Sequence, residues 1–443
     1  MKTIGIDLGT TKVAVVVINE AGTVEKVVSR VHHGKLETAV PGAAEQDAGK
    51  IFDCVRNLLE ELPQQVRQEV GAVGITGQMH SLMIRGKKGL SPLVTWQDCR
   101  CGQEMISEFN RVSGLSLHEG FGGLTLARLA AEGRLDDTMQ AATISDMLVA
   151  ELTGNNVILT DPTHAASWGI YDYTRNDWAF DALAKLSIPN AILPSIRASG
   201  SVAGRMSAEA STKYGLAAGI PVVNAIGDNQ ASVLGTGCDV KQELYLTLGT
   251  GAQLSAVVDS MPANIPAELE IRPFPGGRFL LVSAPLCGGS AFAWLADTIN
   301  NFRRDLGDAE LPRHELLDRL DELALEELQT EKTELVVLPH FLGERHDSAL
   351  RGTVCGLTLN NTTPGKLAAA LAVGIVRNLM RPFPVDLLRT RKVVIGSGNA
   401  VRLVKSIQFA IEQEFGLPLQ ISQMPEEAAS GAAKQAMKSR HIQ

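Results

Sequence analysis

Residues 3–18 read TIGIDLGTTKVAVVVI, and residues 245–258 read YLTLGTGAQLSAVV. Each stretch contains two apolar runs joined through a Gly-Thr turn, and this pattern predicts a β-hairpin. Each hairpin by itself is most simply interpreted as an ordinary strand pair joined by a turn, without a functional role. Because the second stretch repeats the first in the other half of the chain, the two together predict a duplicated fold whose halves face a shared cleft.

The segments that follow the first hairpin alternate between strand and helix patterns. A third apolar run at Val24–Val31 extends the hairpin into a meander, and apolar residues at helical spacing predict a helix over 48–66. Gly71–Thr76 is typical of a strand. IPVVNAI at 220–226 predicts another strand, followed by a helix that starts near Gln230. The predicted fold class is therefore α/β.

The second half of the chain continues in the same way. It is predicted to contain strands at Phe279–Ala284, Leu335–Leu338 and Val393–Ile395, and helices at Gly289–Asn301, Leu311–Leu328, Pro364–Met380, Ala400–Phe415 and Pro425–Ser439. No low-complexity linker separates the halves, so we place the boundary in the glycine-rich stretch 235–239. The predicted domains are residues 1–238 and residues 239–443.

Composition excludes several functional classes. The chain has 443 residues, of which 45% are hydrophobic and 20% charged, as expected for a globular protein of two or three domains. Its net charge of −8 provides no broad positive field for a nucleic-acid backbone or an anionic membrane. The N-terminal residues contain no apolar signal core, and no apolar run approaches the roughly 20 residues that span a bilayer. We therefore predict a cytoplasmic protein that acts on a small molecule.

The turn of the first hairpin, Asp7-Leu8-Gly9-Thr10-Thr11, has the composition of a phosphate-binding loop. Its small residues allow backbone N–H groups to converge on anionic oxygens, and its hydroxyls are further donors. A carboxylate among such donors would repel phosphate unless a cation lay between them, so Asp7 predicts Mg²⁺. The alternative is that turn amides satisfy Asp7 at the end of a strand.

Asp228 lies in IGDNQASVLGTG, at a predicted strand-to-helix junction. The carboxyl end of a strand opens into the crevice of an α/β sheet, which is a suitable position for a catalytic base. In phosphoryl transfer through a loose transition state, the carboxylate accepts the proton as the new bond forms, so an ordinary Asp pKa suffices. The alternative is that Asp228 only caps the following helix.

Three further clusters are candidates for ligand contacts. Gly77-Gln78-Met79-His80 follows a predicted strand, and Trp96-Gln97-Asp98-Cys99-Arg100 combines an aromatic plate with a carboxylate and a guanidinium, a mixture that suits a polyhydroxylated ligand. Asp98 and Arg100 could instead pair only with each other, and Trp96 could belong to the core. Between a strand and a helix, Gly396-Ser397-Gly398-Asn399 could hold a flat base or a phosphate, or form only a tight turn.

Other motifs have a structural interpretation or are missing from the sequence. Glu344-Arg345-His346 is interpreted as a structural ion pair, and the doublet His32-His33 as a surface pair. The sequence has no G-x-G-x-x-G, no G-x-x-x-x-G-K-[ST], no H-E-x-x-H and no Cys/His zinc spacing, and its six cysteines include no C-x-x-C pair. Nicotinamide-dependent, Walker-type and zinc-dependent activities therefore lack support.

The succession of GIDLGTTK, GITGQMHSL, TWQDCRC, GDNQASVLGTG, LTLGTGAQ, PHFLGERHDSALRGTVCGLTL and GSGNAVRLVKSIQ resembles the FGGY carbohydrate kinases over nearly the whole chain. The resemblance implies two actin-like (ribonuclease H-like) ATPase domains around a central cleft, with ATP and Mg²⁺ as cofactors. It also implies transfer of a phosphoryl group from ATP to a hydroxyl of an open-chain sugar or polyol. TWQDCRC, GQMH and GFGGLTLARL are most similar to the kinases that convert sedoheptulose to sedoheptulose 7-phosphate, with xylulose or another ketose as the alternative substrate.

Position by position, the resemblance implies roles for residues of this chain. Asp228 would take the proton from the sugar's terminal hydroxyl, and Asp7 with Asp228 would hold Mg²⁺. The implied sugar-binding residues are Gln78, Met79, His80, Trp96, Asp98, Arg100 and Asn229. The implied nucleotide-binding residues are Gly9, Thr10, Thr11, Lys12, Gly249, Thr250, Gly251, Gly289, Gly396, Ser397, Gly398 and Asn399.

The chain departs from the family pattern at a few positions. Lys12 stands where a small polar residue is common, and it could reach a phosphate or point to solvent. Gly-Ser-Gly-Asn at 396–399 replaces the usual three glycines and alanine, which affects the implied adenine contacts but not Asp7 or Asp228. The predicted partners are the sugar and ATP, with no nucleic acid or membrane, and a homodimer is compatible with the sequence. Rival functions in the same fold are a non-catalytic nucleotide switch and a sugar sensor without turnover.

Overall fold

The predicted meander at the start of the chain is present. Lys2–Leu8 and Lys12–Ile18 pair antiparallel, and Val24–Val31 pairs antiparallel with the second of these strands. Residues Val13–Ile18 are buried throughout, which explains why this strand is apolar on both faces. The computed structural model describes residues 1–237, 239–249, 251–330, 334–345, 347 and 349–439.

The described strands and helices alternate along the chain, as the sequence predicts for an α/β protein. The strands are β1 Lys2–Leu8, β2 Lys12–Ile18, β3 Val24–Val31, β4 Glu45–Gln46, β5 Val70–Gly77, β6 Met83–Gly86, β7 Gly89–Leu90, β8 Leu93–Val94, β9 Gln140–Ala142, β10 Leu159–Thr160, β11 Tyr171–Asp172, β12 Asp177–Trp178, β13 Ser195–Ile196, β14 Val202–Arg205, β15 Pro221–Val223, β16 Ile226–Gly227, β17 Glu243–Leu248, β18 Ala252–Val258, β19 Leu269–Phe274, β20 Arg278–Ser283, β21 Val336–Leu338, β22 Thr353–Cys355, β23 Val393–Ser397 and β24 Leu419–Ile421. The helices are α1 Ala48–Glu60, α2 Gln64–Gln68, α3 Gly102–Ser113, α4 Gly122–Ala131, α5 Ile144–Thr153, α6 Pro162–Ser167, α7 Phe180–Lys185, α8 Ala208–Tyr214, α9 Asp228–Thr236, α10 Ser290–Asp305, α11 Arg313–Thr330, α12 Pro364–Met380, α13 Val385–Arg389, α14 Asn399–Leu403, α15 Lys405–Phe415 and α16 Glu427–Ser439, with a 3₁₀ turn at Asn190–Ile192.

Two larger sheets form the centres of the fold, and their strand orders correspond. The first runs β14-β15-β5-β1-β2-β3, with β16 also paired to β5, and the second runs β19-β20-β18-β17-β23-β24. In the first, β1 is antiparallel to β2 and parallel to β5. In the second, β17 is antiparallel to β18 and parallel to β23. The two predicted hairpins therefore occupy the same place in their respective sheets.

By its packing the chain divides into two compact units. Among the described residues, the first unit lies within 1–236, 272–277 and 424–443, and the second lies within 237–271 and 278–423. Each unit buries its own apolar core. The predicted boundary between residues 238 and 239 stays a prediction, because residue 238 lies outside the described residues and the last helix groups with the first unit.

The last helix, α16, packs closely on the sheet of the first unit. A Cβ atom on Gly5 of β1 would lie 1.8 Å from the carbonyl oxygen of Ala429, and one on Gly74 of β5 would lie 2.0 Å from that of Ala432. Only glycine allows the backbones to approach so closely. These two positions therefore fix α16 against β1 and β5, next to the strand end that carries Asp7.

Several boundaries differ from the sequence prediction for local reasons. The helix predicted over 48–66 is interrupted at Pro63, which lacks an N–H group and separates α1 from α2. The helix predicted over 400–415 is divided at Val404, whose backbone is extended between α14 and α15. No helix in the described ranges is long and apolar enough to span a bilayer.

Candidate active site

Asp7 lies near the end of β1, beside Thr76 of β5 and Ala14 of β2. Its Oδ1 atom is buried and has no hydrogen-bond partner among the described residues, so turn amides do not satisfy this oxygen. The pKa of the Asp7 carboxyl is raised to about 7, chiefly by burial and then by the nearby carboxylates of Asp228 and Glu426, against the opposing effect of Lys12. The strand end therefore holds a buried carboxyl group with one unsatisfied oxygen, close to two other carboxylates.

These residues fit a divalent cation. An unsatisfied carboxylate oxygen with other carboxylates nearby is the type of environment in which Mg²⁺ is bound. The described part of the chain contains no cluster of three or more His, Cys, Asp or Glu side chains that could enclose a metal ion by itself. Mg²⁺ commonly binds through one or two carboxylates and completes its shell with water and substrate phosphates, so a sparse set of protein ligands is consistent with it.

Asp228 is the first residue of α9 and follows directly on β16. Its Oδ1 atom accepts a hydrogen bond from the backbone N–H of Asn229 at 2.7 Å, so the carboxylate also supports the start of the helix. Burial raises the pKa of Asp228 to about 6, although the Arg272 guanidinium acts in the opposite direction. Arg272 also donates to Asn229 Oδ1 at 3.0 Å. The predicted base is thus partly buried and held at a strand-to-helix junction.

His80 has a left-handed backbone, with φ of 67°, which is uncommon for a residue other than glycine. Its backbone N–H donates to Ser167 Oγ at 3.0 Å, and its ring Nδ1 lies 2.6 Å from the Ser167 carbonyl oxygen. The ring also stacks on Phe121 with centroids 4.9 Å apart. Because a carbonyl only accepts, Nδ1 must carry the proton, and Nε2 of the neutral ring is then an acceptor.

Thr10 in the first hairpin turn connects to several predicted or unexpected residues. The Trp96 indole N–H donates to Thr10 Oγ1 at 2.9 Å, and Trp96 is 45% exposed, so it does not belong to the core. The Thr10 carbonyl oxygen accepts from Gln46 Nε2 at 2.7 Å and lies 3.0 Å from His32 Nε2. The interpretation of His32 as a surface residue is therefore wrong: its side chain is buried because it supports this turn.

Gln78 and Met79 are both buried beneath the strand ends. Gln78 Nε2 donates to Gln46 Oε1 at 3.0 Å, whereas Gln78 Oε1 has no partner among the described residues. Met79 lies against Gly227, where a Cβ atom would be 2.8 Å from its sulfur. Through Gln46, the GQMH segment is connected to the first hairpin turn.

Asp98 and Arg100 form an ion pair, which is the structural alternative for these residues. Arg100 Nε lies 2.9 and 2.8 Å from the two Asp98 oxygens, and Arg100 Nη2 lies 2.7 Å from Glu45 Oε1. Asp98 Oδ2 also accepts from the backbone N–H of Ala44 at 2.9 Å. Their assignment to a sugar pocket stays a prediction.

Lys12 does not point freely to solvent. Its Nζ lies 2.6 Å from Glu426 Oε1, although Glu426 is 414 positions away in the sequence. Glu426 has a left-handed backbone, with φ of 47°, directly before α16. The ammonium group is thus held beside the first hairpin by the segment that leads into the last helix.

In the second unit, the hairpin turn between β17 and β18 is closed by backbone bonds. Gly249 donates to the carbonyl of Gly251 at 3.0 Å, and Gly289 donates to the carbonyl of Gly249 at 2.9 Å. A Cβ atom on Gly289 would lie 2.5 Å from that carbonyl oxygen, so only glycine fits there. Thr250, predicted to bind phosphate, lies outside the described residues.

The segment 396–399 packs against the same hairpin. Ser397 Oγ lies 2.8 Å from Thr247 Oγ1, and Ser397 is buried. Gly398 has φ of 86°, and a Cβ atom there would lie 2.4 Å from the Leu248 carbonyl oxygen. Gly396 is buried against Val401, whereas Asn399 is exposed at the start of α14. The glycines of this segment therefore serve close packing, and Asn399 is the member that faces solvent.

Glu344 has the structural role predicted for its segment, although with a different partner. Its Oε1 atom accepts from Asn378 Nδ2 at 3.0 Å and lies 3.0 Å from His340 Nδ1. The side chain is buried. His346, the last residue of the predicted cluster, lies outside the described residues.

Sequence reasoning missed several residues that contact the predicted site residues or, in the case of Thr163, the residue directly before Asp228. They are His32, Gln46, Thr163, Ser167, Arg272 and Glu426. Most lie far in sequence from the residues that they contact, so no local pattern identifies them. Only His32 stood out in the sequence, and only as half of a doublet.

Comparisons with known proteins identify the family of the chain. The N-terminal domain model of the FGGY family of carbohydrate kinases matches residues 2–235, and its C-terminal domain model matches residues 244–440. A sedoheptulokinase from Mus musculus is 31% identical, with 97% of this chain and 96% of that protein covered. A glycerol kinase from Bordetella pertussis is 27% identical, with 97% and 87% covered.

The fold agrees with that of solved structures. The crystal structure of xylulose kinase from Rhodospirillum rubrum superposes with a TM-score of 0.83 at 24% identity, covering 99% of this chain and 91% of that chain. This likeness confirms the predicted fold of two actin-like ATPase domains. Because the two family models together match most of the sequence, the chain belongs to the FGGY family of carbohydrate kinases.

Proposed function

We propose that the protein transfers the γ-phosphoryl group of ATP to the terminal hydroxyl of a ketose, with sedoheptulose as the preferred acceptor. The observation that carries this proposal is the Asp228 carboxylate at the β16–α9 junction, whose pKa burial raises to about 6. A carboxylate with this pKa is mostly ionised at neutral pH and is a stronger base than an exposed aspartate.

Asp228 would accept the proton of the attacking sugar hydroxyl. As this happens, the hydroxyl oxygen bonds to the γ-phosphorus, and the bond between the γ-phosphorus and the bridging oxygen breaks, so that ADP leaves. Because such transition states are loose, position matters more than base strength. The hydrogen bond from Asn229 to Asp228 and the bond from Arg272 to Asn229 support this role, since they restrain the carboxylate at the helix start.

Asp7 and Asp228 would hold Mg²⁺. The unsatisfied Oδ1 of Asp7 and its raised pKa support this assignment, because both indicate a carboxylate that would gain from a nearby positive charge. Bound Mg²⁺ would neutralise charge on the phosphate oxygens.

The two hairpin turns would contact the phosphates of ATP. In the first, the hydroxyl of Thr10 accepts from Trp96, which leaves its own proton to be donated elsewhere. The proposed phosphate and nucleotide contacts are Gly9, Thr10, Thr11 and Lys12 in the first unit, and Gly249, Thr250, Gly251, Gly289, Gly396, Ser397, Gly398 and Asn399 downstream.

The sugar would be bound by residues of the first unit. With Nδ1 donating to the Ser167 carbonyl, the His80 ring in its neutral form would offer an acceptor at Nε2, which suits a sugar hydroxyl. The exposed indole of Trp96 offers an apolar face for C–H groups of the sugar chain. The other proposed contacts are Gln78, Met79, Asp98, Arg100 and Asn229, of which Asp98 and Arg100 would act as one ion-paired unit.

The choice of sedoheptulose is supported by the similarity to a sedoheptulokinase at 31% identity. The other relatives reported above are named for glycerol and xylulose, so these two compounds are the informative competitors. ADP release with MgATP should be measured against sedoheptulose, xylulose and glycerol at matched concentrations. The highest kcat/KM is expected for sedoheptulose, with phosphate attached to the terminal carbon of the product.

Three other outcomes would change the proposal. A higher kcat/KM for xylulose or glycerol would retain the kinase and replace the acceptor. ADP release that does not depend on any sugar would favour a nucleotide switch. Sugar binding without ADP release would favour a sensor.

A further inference from the structure

Helix α6 contacts both the residue that directly precedes the predicted base and a predicted sugar-binding residue. Its N-terminal cap is Asp161, whose carboxylate accepts from the backbone N–H groups of Thr163 and His164. Ser199 Oγ donates to the other Asp161 oxygen at 2.5 Å. Asp161 and Thr163 are fully buried, so these bonds do not compete with solvent.

The Thr163 hydroxyl connects this cap to the residue before Asp228. It donates to Asp161 Oδ1 at 2.5 Å and accepts from the backbone N–H of Gly227 at 2.8 Å. A hydroxyl has one proton, so donation to the carboxylate leaves its lone pairs for the Gly227 N–H. The orientation of the hydroxyl is therefore set by Asp161.

A second threonine completes the restraint. Thr76 Oγ1 donates to the Ile226 carbonyl oxygen at 2.7 Å. The Ile226 C=O and the Gly227 N–H belong to the same planar peptide unit. Two threonine hydroxyls, on β5 and α6, thus fix both polar groups of the Ile226–Gly227 peptide, which is separated from Asp228 by the Gly227–Asp228 peptide.

The other end of α6 holds His80. Ser167 is the last residue of the helix, one turn after Thr163, and it accepts the His80 backbone N–H at its hydroxyl and the His80 ring Nδ1 at its carbonyl. The Ser167 hydroxyl itself donates to the His164 carbonyl at 2.7 Å. A left-handed backbone persists only where surrounding contacts hold it, and Ser167 provides two of them for His80.

We propose that α6 is a positioning element of the active site, in which Thr163 places the base Asp228 through Gly227 and Ser167 places the sugar-binding His80. The inference rests on the proposed function. Neither side chain needs to touch substrate. One contact restrains the segment before the base and the other restrains a sugar-binding residue. Loss of the first is therefore expected to change kcat, and loss of the second to change KM.

Thr163→Val keeps the shape of the side chain and removes both of its hydroxyl bonds. We expect kcat to fall roughly tenfold or more, the scale of a small displacement of a reacting group, with KM for the sugar within about twofold. Thr163→Ser retains the hydroxyl and should restore kcat. Ser167→Ala removes the bond to the His80 backbone and should instead raise KM for the sugar several-fold, with kcat within about twofold.

Thr143→Val is the matched control for loss of a buried threonine hydroxyl. Thr143 is also fully buried in the first unit, donates to the carboxylate of Asp146 at 2.8 Å and accepts the Asp146 N–H at 3.1 Å. It should lower Tm to a similar extent as Thr163→Val and leave kcat and KM unchanged.

Full-length variants should be compared by Tm, kcat and KM with the best sugar from the acceptor panel. A kcat loss in Thr163→Val that Thr163→Ser restores and Thr143→Val lacks would support the proposal. Equal kcat for Thr163→Val and wild type, or an equal loss in Thr143→Val, would overturn it. If wild type released no ADP with any sugar, the proposed function would fail and this inference with it, whereas an active wild type with an unaffected Thr163→Val refutes the inference alone.

Discussion

The hairpins β1–β2 and β17–β18 share a backbone arrangement but differ in chemistry. Asp7 of β1 lies beside Thr76 of the parallel strand β5, and at the corresponding place Thr247 of β17 lies beside Ser397 of β23. Thr247 and Ser397 satisfy each other through their hydroxyls at 2.8 Å, whereas Asp7 Oδ1 has no partner among the described residues. The same strand arrangement thus carries a carboxyl group with an unsatisfied oxygen in the first unit, and two hydroxyl groups that hydrogen-bond to each other in the second.

The turns differ as well. In the first hairpin the last paired residues are Leu8 and Val13, and in the second they are Leu248 and Ala252, so the second turn is one residue shorter. The first turn is held mainly by side chains that reach Thr10. The second is held by glycine backbone. The repeated sequence pattern therefore specifies the strand pairing of each hairpin, whereas the residues around each turn determine the chemical groups that the turn presents.

The largest effect is expected for Asp228→Asn, which tests whether the first unit provides the catalytic base. Asp228→Asn keeps the size of the side chain and removes the proton acceptor, so kcat should fall by at least roughly two orders of magnitude, with sugar and ATP affinities within a few-fold. Calorimetric binding and ADP release would measure the two effects. Asp386→Asn, at a side chain that is 97% exposed, is the control. Normal turnover of Asp228→Asn would remove the proposed base.

A second prediction concerns the residue that distinguishes the hairpins. Asp7→Ala removes the unsatisfied carboxylate, so the Mg²⁺ concentration for half-maximal rate should rise on the order of tenfold, as a metal site loses a ligand. Rates should be measured across a Mg²⁺ titration at fixed total ATP, with Asp386→Ala as the control. An unchanged Mg²⁺ dependence would contradict the cation role of Asp7.

A third prediction tests whether the β17–β18 hairpin binds phosphate. Apart from its chain neighbours, no described residue lies within 4 Å of a Cβ atom placed on Gly249, so Gly249→Ala should leave Tm unchanged. If phosphate approaches this turn, the added methyl group should raise KM for ATP roughly two- to tenfold, the value of about one hydrogen bond. Gly398→Ala is the contrasting variant: its φ of 86° and contact with the Leu248 carbonyl should lower Tm. An unchanged KM for ATP in Gly249→Ala would contradict phosphate binding by the second hairpin.

The smallest effect concerns stability against pH. Burial raises the pKa of Asp146 in the first unit to about 8, while its ordinary value is 3.8. Between these values the folded protein keeps a proton that the unfolded chain has lost, so this group makes stability fall as pH rises from about 4 to about 8, by at most about 1.4 kcal/mol per pH unit.

Asp146→Asn should weaken that dependence. The asparagine oxygen can still accept from the hydroxyls of Thr143 and Thr160, which bond the same carboxylate oxygen in the native protein. Tm of the variant should therefore fall by a few degrees less than wild type between pH 5 and pH 8. A parallel pH dependence in both proteins would show that Asp146 does not titrate in this range.

The sequence predicted those parts of the fold that depend on local pattern. Alternating and continuous apolar runs located β1, β2, β5 and β17, and Pro364 with the apolar repeat after it located α12. The repeated Gly-Thr turn predicted the duplication. Interruptions at Pro63 and Val404 were missed, because helical periodicity continues across them while the backbone does not.

The sequence by itself determined the two hairpins, the α/β class and the acidic residues at the strand ends, because strand pairing and turn chemistry act between neighbours along the chain. Tertiary structure alone decided the partners of those residues. Three contacts form only after folding has brought distant segments together. They are the ion pair of Lys12 with Glu426, the close backbone approach of Ala429 to Gly5, and the hydrogen bond between Thr163 and Gly227. Burial likewise raised the pKa of Asp7 and Asp228, since removal of water requires the whole packed unit and cannot be read from spacing.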